Sequence, residues 1–140
     1  MTVIHQPRVA WDGARIAVDR TTARLSDHPG AGRVQVECAR IPVNWPPGNF
    51  DLIVLSEVGY YCADLPRLKA RVDDSLAADG VLVACHWRHR APDHPVTAEA
   101  VHTALEAGLH KVVAHREADF LLDVWTRDGG SVAEAEGIVR

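Results

Sequence analysis

Four side chains that could take part in chemistry follow directly on a short apolar run, Leu52–Leu55: Ser56, Glu57, Tyr60 and Tyr61. A carboxylate can accept a proton from a reacting group or orient that group by a hydrogen bond. Tyrosine rings offer flat apolar faces with a polar edge, which suits the wall of a pocket for a sugar or an amine. The cluster therefore predicts a site for a small polar molecule.

The elements that would position this cluster can be read from the hydrophobic pattern. The aliphatic run before Ser56 is typical of a strand that is buried on both faces of a parallel sheet. A second run, Val81–Cys85, leads into His86 and Trp87, and an amphipathic helix from Leu65 to Leu76 separates the two runs. Because a right-handed crossover joins neighbouring parallel strands, we expect Glu57, Tyr60 and His86 to converge at one sheet edge.

Across the chain, the pattern predicts the element order β-α-β-β-α-β-α-β-β. The predicted strands and helices are Arg15–Asp19, Thr22–Asp27, Val34–Cys38, Leu52–Ser56, Leu65–Leu76, Val81–Cys85, Thr97–Ala107, Lys111–Glu117 and Phe120–Thr126. Asp79-Gly80 should stop the second helix, and Gly108 the third. The two-residue link before Phe120 predicts an antiparallel hairpin. The fold class is therefore α/β, with a mostly parallel sheet and an antiparallel last strand.

Composition narrows the function classes. The chain has 140 residues, enough for one domain, and its net charge of -4 argues against a nucleic-acid groove. No stretch has the length of a membrane span, and the N-terminus lacks the apolar core of a signal peptide. Three cysteines without C-x-x-C spacing indicate reduced thiols and a cytoplasmic protein. No H-E-x-x-H, G-x-S-x-G or Walker motif occurs, so we predict no metal site.

Three segments together resemble the class I S-adenosylmethionine-dependent methyltransferases, and among these the nodulation protein S-like (NodS-like) N-methyltransferases. They are Phe50–Val54, Ser56–Tyr61 and Leu76–Leu82, within a likeness that extends over Ala14–Thr126. The resemblance implies a Rossmann-like sheet, S-adenosylmethionine as cofactor, and a small-molecule methyl acceptor. An amino sugar or oligosaccharide that is methylated on nitrogen is the acceptor this subgroup implies.

The resemblance also implies roles for individual residues. Asp19 would bind the ribose hydroxyls of the cofactor; the alternative is that an acid at that position stabilises the start of a helix. Ser56 and Glu57 would also contact the cofactor. Glu57 is the first candidate to take the acceptor's proton and His86 the second, with Tyr60 beside them. The remaining rings, Tyr61 and Trp87, would bind the substrate.

Residues 1–14 do not contain the first strand and the glycine-rich loop with which these enzymes begin. We therefore expect 1–14 to be a remnant of the first helix or disordered, 15–127 to be a truncated methyltransferase domain, and 128–140 to be a polar tail. Arg40 stands where relatives carry an acid. Unpaired sheet edges could cause self-association. These departures leave open an inactive remnant or interaction module, or another Rossmann-like nucleotide binder, and predict weak or absent cofactor binding.

Overall fold

The computed structural model describes residues 8–139. The chain divides into two compact units, Met1–Pro46 and Pro47–Arg140. The segment between the last strand of the first unit and the first strand of the second contains Pro42, Pro46 and Pro47, which cannot donate backbone hydrogen bonds. Each unit has its own sheet.

The first unit consists of strand β1 (Arg8–Asp12), helix α1 (Arg15–Leu25), a short 3-10 turn and strand β2 (Val34–Cys38). The two strands are parallel. Helix α1 packs against them and buries Val18. This is a β-α-β unit, in which the helix covers one face of a parallel strand pair.

The start of this unit corrects three of the sequence predictions. Arg15–Asp19 is the first half of α1, not a strand, and Thr22–Asp27 is not a separate helix. Arg8–Asp12 is a strand, not the remnant of a helix, while residues 1–7 lie outside the described part of the chain. A five-residue apolar pattern is too short to separate a period of 2 from one of 3.6, so the order of elements was right but the first strand was misplaced.

The second unit has a four-stranded sheet in the order β3 (Phe50–Ser56), β4 (Leu76–Trp87), β6 (Phe120–Thr126), β5 (His110–Arg116). Strands β3 and β4 are parallel, and β6 is antiparallel to both of its neighbours. The α/β class, the adjacent parallel strands and the terminal hairpin are thus confirmed. The single mostly parallel sheet predicted from the sequence would include Val34–Cys38, but this strand pairs with β1 in a separate two-stranded sheet.

Strand β4 begins earlier than the sequence pattern indicated. The register changes from Phe50 opposite Leu76 to Leu52 opposite Val81, so the intervening residues 77–80 bulge out of the ladder. A Cβ on Gly80 would lie 3.0 Å from both the backbone N and the backbone O of Ala77, so a side chain at this bend would force the backbone to shift. Asp79-Gly80 therefore lies in a bulge within β4 and does not stop the preceding helix.

Helices α2 (Leu65–Ser75) and α3 (Ala98–Glu106) pack together, and α3 also contacts β4 and β6. The Asp64 side chain accepts a hydrogen bond from Arg67 N–H, and Thr97 accepts one from Ala100 N–H, so both helices have N-caps. Gly108, with φ 73°, follows α3 at the predicted position. Buried side chains from these helices and the sheet form the core: Leu68, Val72, Leu82, Val101, Leu105, Leu121 and Trp125.

The C-terminal residues contain one more element. Helix α4 (Val132–Ala135) is a single turn with a capping box, in which Ser131 and Glu134 exchange side-chain and backbone hydrogen bonds. The predicted polar tail is therefore partly helical. None of the helices among residues 8–139 has the length and apolar character of a membrane-spanning segment. Self-association through the outer strands of the sheets stays a prediction.

The two faces of the second unit's sheet can be compared by a matched pair of substitutions. Leu82 on β4 is fully buried, whereas Leu52 on β3 is 57% exposed. We expect Leu82→Ala to lower the free energy of unfolding by about 2–5 kcal/mol, because it leaves a cavity, and Leu52→Ala by under about 1 kcal/mol. Urea denaturation of the full chain measures both. Equal losses would contradict the assignment of the core to one face.

Candidate active site

Glu57 occupies a constrained position immediately after β3. Its backbone has φ 55°, a conformation uncommon for a residue with a side chain, and its N–H donates to the Cys85 carbonyl at 2.9 Å. One carboxylate oxygen, Oε1, accepts from the Trp87 N–H at 2.8 Å, and Oε2 accepts from the Tyr60 hydroxyl. An exposed carboxylate is thereby held in one orientation at the carboxyl ends of β3 and β4.

Tyr60 is the buried partner of this carboxylate. Its ring is 4% exposed and stacks on His94, with 3.9 Å between ring centroids, while Tyr61 meets it edge-on at 5.1 Å. Burial raises the pKa of the Tyr60 hydroxyl above its ordinary range, and the hydrogen bond to Glu57 raises it further. Tyr60 therefore remains a hydrogen-bond donor that orients Glu57 over the physiological pH range.

His86 lies beneath this cluster and is completely buried. Its Nε2 accepts from the Gly59 N–H at 2.9 Å, and its Nδ1 lies 2.9 Å from His102 Nε2. Burial lowers the pKa of His86 to about 3, and the neighbouring His102 lowers it as well. Because both ring nitrogens are occupied and the ring is neutral, the structure argues against His86 as the group that takes a substrate proton.

Two buried polar residues in this network were not found from the sequence. His102 Nδ1 lies 2.7 Å from Asp123 Oδ2, and their side chains are 4% and 7% exposed. A signal for Asp123 was present, since it occupies an inward position of β6 between the buried Leu121 and Trp125. A buried acid at such a position needs a hydrogen-bond donor or a cation beside it, but the sequence pattern does not identify which residue supplies it.

The exposed rings and Ser56 complete the site. Tyr61 is 53% and Trp87 44% exposed, and the Trp87 ring lies 4.7 Å from that of His89. Ser56 is the exposed last residue of β3, opposite Cys85. The structure thus brings Glu57, Tyr60 and His86 together at the carboxyl ends of the two parallel strands. The ligands of all these side chains stay predictions.

In the first unit, Asp19 does not end a strand. It lies on the exposed part of α1, and the acid at the end of β1 is Asp12. Asp12 Oδ1 accepts from the Ala14 N–H at 2.7 Å. The sequence pattern RVAWD followed by glycine, a short apolar run that ends in an acid, could have indicated this residue.

Comparison with solved structures reveals the family. A Pseudomonas syringae protein assigned as a methyltransferase is 41% identical over 87% of this chain and 74% of its own, with a TM-score of 0.70. The chain belongs to the methyltransferase family. The N-methyltransferase NodS from Bradyrhizobium japonicum WM9 is 27% identical, with a TM-score of 0.68, and the match spans 85% of this methyltransferase and 72% of NodS.

A second NodS structure holds S-adenosyl-l-homocysteine, and its match has 26% identity, a TM-score of 0.66 and coverage of 85% of this methyltransferase and 65% of that chain. This methyltransferase is therefore of the class I S-adenosylmethionine-dependent type and is NodS-like, as the sequence resemblance indicated. A scan against protein-family models finds no match, and neither does a comparison with curated proteins.

The buried His86 predicts an acid-sensitive fold. In the unfolded chain histidine binds a proton near pH 6.5, but folded His86 does so only near pH 3. Because the unfolded chain binds this proton more readily, the free energy of unfolding is highest above pH 6.5. It falls as the pH decreases toward 3, by about 1.4 kcal/mol per pH unit. We expect a loss of about 2 kcal/mol between pH 6.5 and 5, measured by urea denaturation.

Matched variants assign this loss to His86. The slope of unfolding free energy against pH should flatten in His86→Gln and persist in His115→Gln, because His115 is exposed on β5. An unchanged slope in His86→Gln would show that another group causes the acid sensitivity.

Proposed function

We propose that this chain transfers a methyl group from S-adenosylmethionine to the nitrogen of a small amine, with an amino sugar or amino-oligosaccharide as the acceptor class. The family supports the reaction type, and the likeness to an N-methyltransferase favours nitrogen as the acceptor atom. The single observation that carries the proposal is the exposed Glu57 carboxylate, fixed by Trp87 N–H and Tyr60 at the carboxyl ends of the parallel strands.

Glu57 has the chemistry that an amine acceptor requires. An amine reacts through its lone pair, so a protonated amine must lose one proton before its nitrogen can accept the methyl group. A carboxylate oxygen has two lone pairs, and each oxygen of Glu57 uses one of them on a protein donor. The other lone pairs of the Glu57 oxygens can accept a hydrogen bond from the N–H of the substrate amine, orient its nitrogen, and take up its proton.

The exposed rings near Glu57 favour a sugar acceptor. Tyr61 and Trp87 follow β3 and end β4 respectively, and both rings are about half exposed. Aromatic faces stack on the apolar faces of pyranose rings while polar groups bond to the hydroxyls. Tyr60, in contrast, is buried, so in this proposal it orients Glu57 and does not touch the substrate.

S-adenosylmethionine, when bound, supplies an electrophilic methyl group on a sulfonium. In the first unit the Asp12 carboxylate is exposed at the end of β1, and two acceptor oxygens suit the vicinal hydroxyls of a ribose. We therefore assign ribose binding to Asp12 in place of Asp19. In the second unit, Ser56 is the further candidate for cofactor contact. The three cysteines, Cys38, Cys62 and Cys85, form no disulfide bond in the part of the chain that the structure describes, which fits a reducing compartment such as the cytoplasm.

Two aspartates of the first unit provide a matched test of cofactor binding. Asp12→Asn should weaken the binding of S-adenosylhomocysteine by about 10-fold to 100-fold, because hydrogen bonds to a charged group contribute about 1.5–3 kcal/mol. Asp19→Asn should change it by less than about twofold. Isothermal titration calorimetry of the full chain measures both.

A larger loss of affinity in Asp19→Asn than in Asp12→Asn would assign ribose binding to Asp19. If the unmodified chain takes up no S-adenosylhomocysteine, the competing hypothesis of an inactive methyltransferase-fold module is favoured.

Glu57→Gln tests the role of the carboxylate in methyl transfer. Glutamine keeps the shape of the side chain and can still bond to Trp87 N–H and Tyr60, but it cannot take up a proton. We expect kcat for methylation of glucosamine oligosaccharides to fall by about 100-fold or more, with the fold intact. Transfer from labelled S-adenosylmethionine is the measurement.

Asp51→Asn, which alters an exposed carboxylate within β3, is the matched control and should leave kcat unchanged. Equal activity of Glu57→Gln and the unmodified chain would exclude Glu57 as the proton acceptor.

A further inference from the structure

A continuous chain of hydrogen bonds crosses the interior of the second unit beneath the candidate site. It runs from Gly59 N–H to His86 Nε2 at 2.9 Å, from His86 Nδ1 to His102 Nε2 at 2.9 Å, and from His102 Nδ1 to Asp123 Oδ2 at 2.7 Å. The chain joins the turn after β3 to β4, α3 and β6. The two histidines and the aspartate are all buried.

The direction of this chain follows from its first donor. A backbone N–H can only donate, so His86 Nε2 carries no proton, and the proton of the neutral ring is on Nδ1. His86 therefore donates to His102 Nε2, and His102 in turn carries its proton on Nδ1 and donates to Asp123. Each group has one possible role, so the geometry defines a single arrangement of protons.

Charged groups stabilise the far end of the chain. Lys111 Nζ lies 3.3 Å from Asp123 Oδ2 and 2.7 Å from Glu106 Oε2. Asp123 thus has both a hydrogen-bond donor and a nearby cation, which offsets the cost of burying its charge. Lys111 also lies over the Trp125 ring, 5.6 Å from its centroid, and this contact keeps the ammonium close to Asp123.

At its Gly59 end, the hydrogen-bond chain meets a turn that is too closely packed to accept a side chain in place of glycine. A Cβ on Gly59 would lie 2.5 Å from Val101 Cγ1 and 2.8 Å from His86 Nε2. Gly59 begins the 3-10 turn Gly59–Tyr61, and two residues before it the backbone of Glu57 has its positive φ. The position of the Gly59 amide therefore determines the path of the polypeptide backbone between Glu57 and Tyr60.

We propose that His86, His102 and Asp123 act together as positioning residues, which hold the Gly59–Tyr61 turn and thereby fix the Glu57 carboxylate for reaction. The proposal rests on the function proposed above, because it assigns the hydrogen-bond chain a role in the reaction at that site. None of the three residues needs to contact substrate. Their effect on the reaction passes through the Gly59 N–H and appears at Glu57 and its donor, the Trp87 N–H.

The first experiment is nuclear magnetic resonance of the full chain without cofactor. The ¹⁵N shifts of the imidazoles should show His86 and His102 as neutral rings protonated on Nδ1. The Gly59 and Trp87 amide protons should be shifted downfield and protected from exchange. A proton on Nε2 of His86 would overturn the proposal, and this measurement does not depend on activity.

Substitutions of His102 then test the link to the turn. His102→Met breaks the chain at its middle, whereas His102→Gln retains an acceptor and a donor at the end of the side chain. We expect the Gly59 and Trp87 amide signals to lose their shift and protection in His102→Met and to recover them in His102→Gln. His115→Gln, at an exposed histidine, is the matched control.

The kinetic test separates positioning from binding. In His102→Met, kcat for methyl transfer should fall by about 10-fold to 100-fold, with little change in the KM for S-adenosylmethionine, and His102→Gln should restore most of it. A folded His102→Met with unchanged kcat and unchanged amide signals overturns the proposal. If His102→Met does not fold, Asp123→Asn takes its place, with the same two amide signals as the readout.

Failure of the proposed function gives a different result. In that case the unmodified protein transfers no methyl group. The histidine tautomers and the two amide signals still test whether the buried hydrogen-bond chain holds the turn.

Discussion

The close approach of the Gly59 backbone to His86 and Val101 is the constraint on which the candidate site depends. At this point the turn after β3 lies against β4 and α3, with space for a hydrogen atom but not for a methyl group. The hydrogen bond from the Gly59 N–H to His86 satisfies a donor that would otherwise be buried without a partner. The exposed Glu57 and the buried Tyr60 occupy their places because the backbone between them is held there.

Among residues 47–139, the interior contains a network of buried side chains in which each member has a hydrogen-bond partner. A neutral histidine pair accepts a hydrogen bond from the Gly59 N–H at one end and donates a hydrogen bond to Asp123 at the other. Burial lowers the pKa of His102 although the Asp123 carboxylate beside it acts in the opposite direction, so the ring remains neutral. A fully satisfied network of this kind favours one packing arrangement over its alternatives.

The candidate site therefore consists of two layers with different properties. The buried layer is neutral at its histidines, and the exposed layer carries the Glu57 carboxylate and the rings of Tyr61 and Trp87. This division suits methyl transfer from a sulfonium, in which the protein mainly contributes the placement of the acceptor. Burial and the nearby Glu57 also raise the pKa of the Cys85 thiol, which keeps this cysteine protonated.

Local features of the sequence were sufficient for the element order, for the bounds of Val34–Cys38 and Phe120–Thr126, for the cap of α3 and for the cluster after β3. These depend on periodicity, turn residues and capping groups within a few positions of one another. The family was also accessible, because its motifs are continuous segments. Only the tertiary structure decided which short apolar run forms the first strand, and so showed that Asp12, not Asp19, is the acid at the end of that strand. It also placed His86 in the core, since its partners lie 27 and 16 residues away and that of His102 lies 21 away. A pattern read along the chain identifies a buried polar residue, but the group that satisfies it is determined by packing between distant elements.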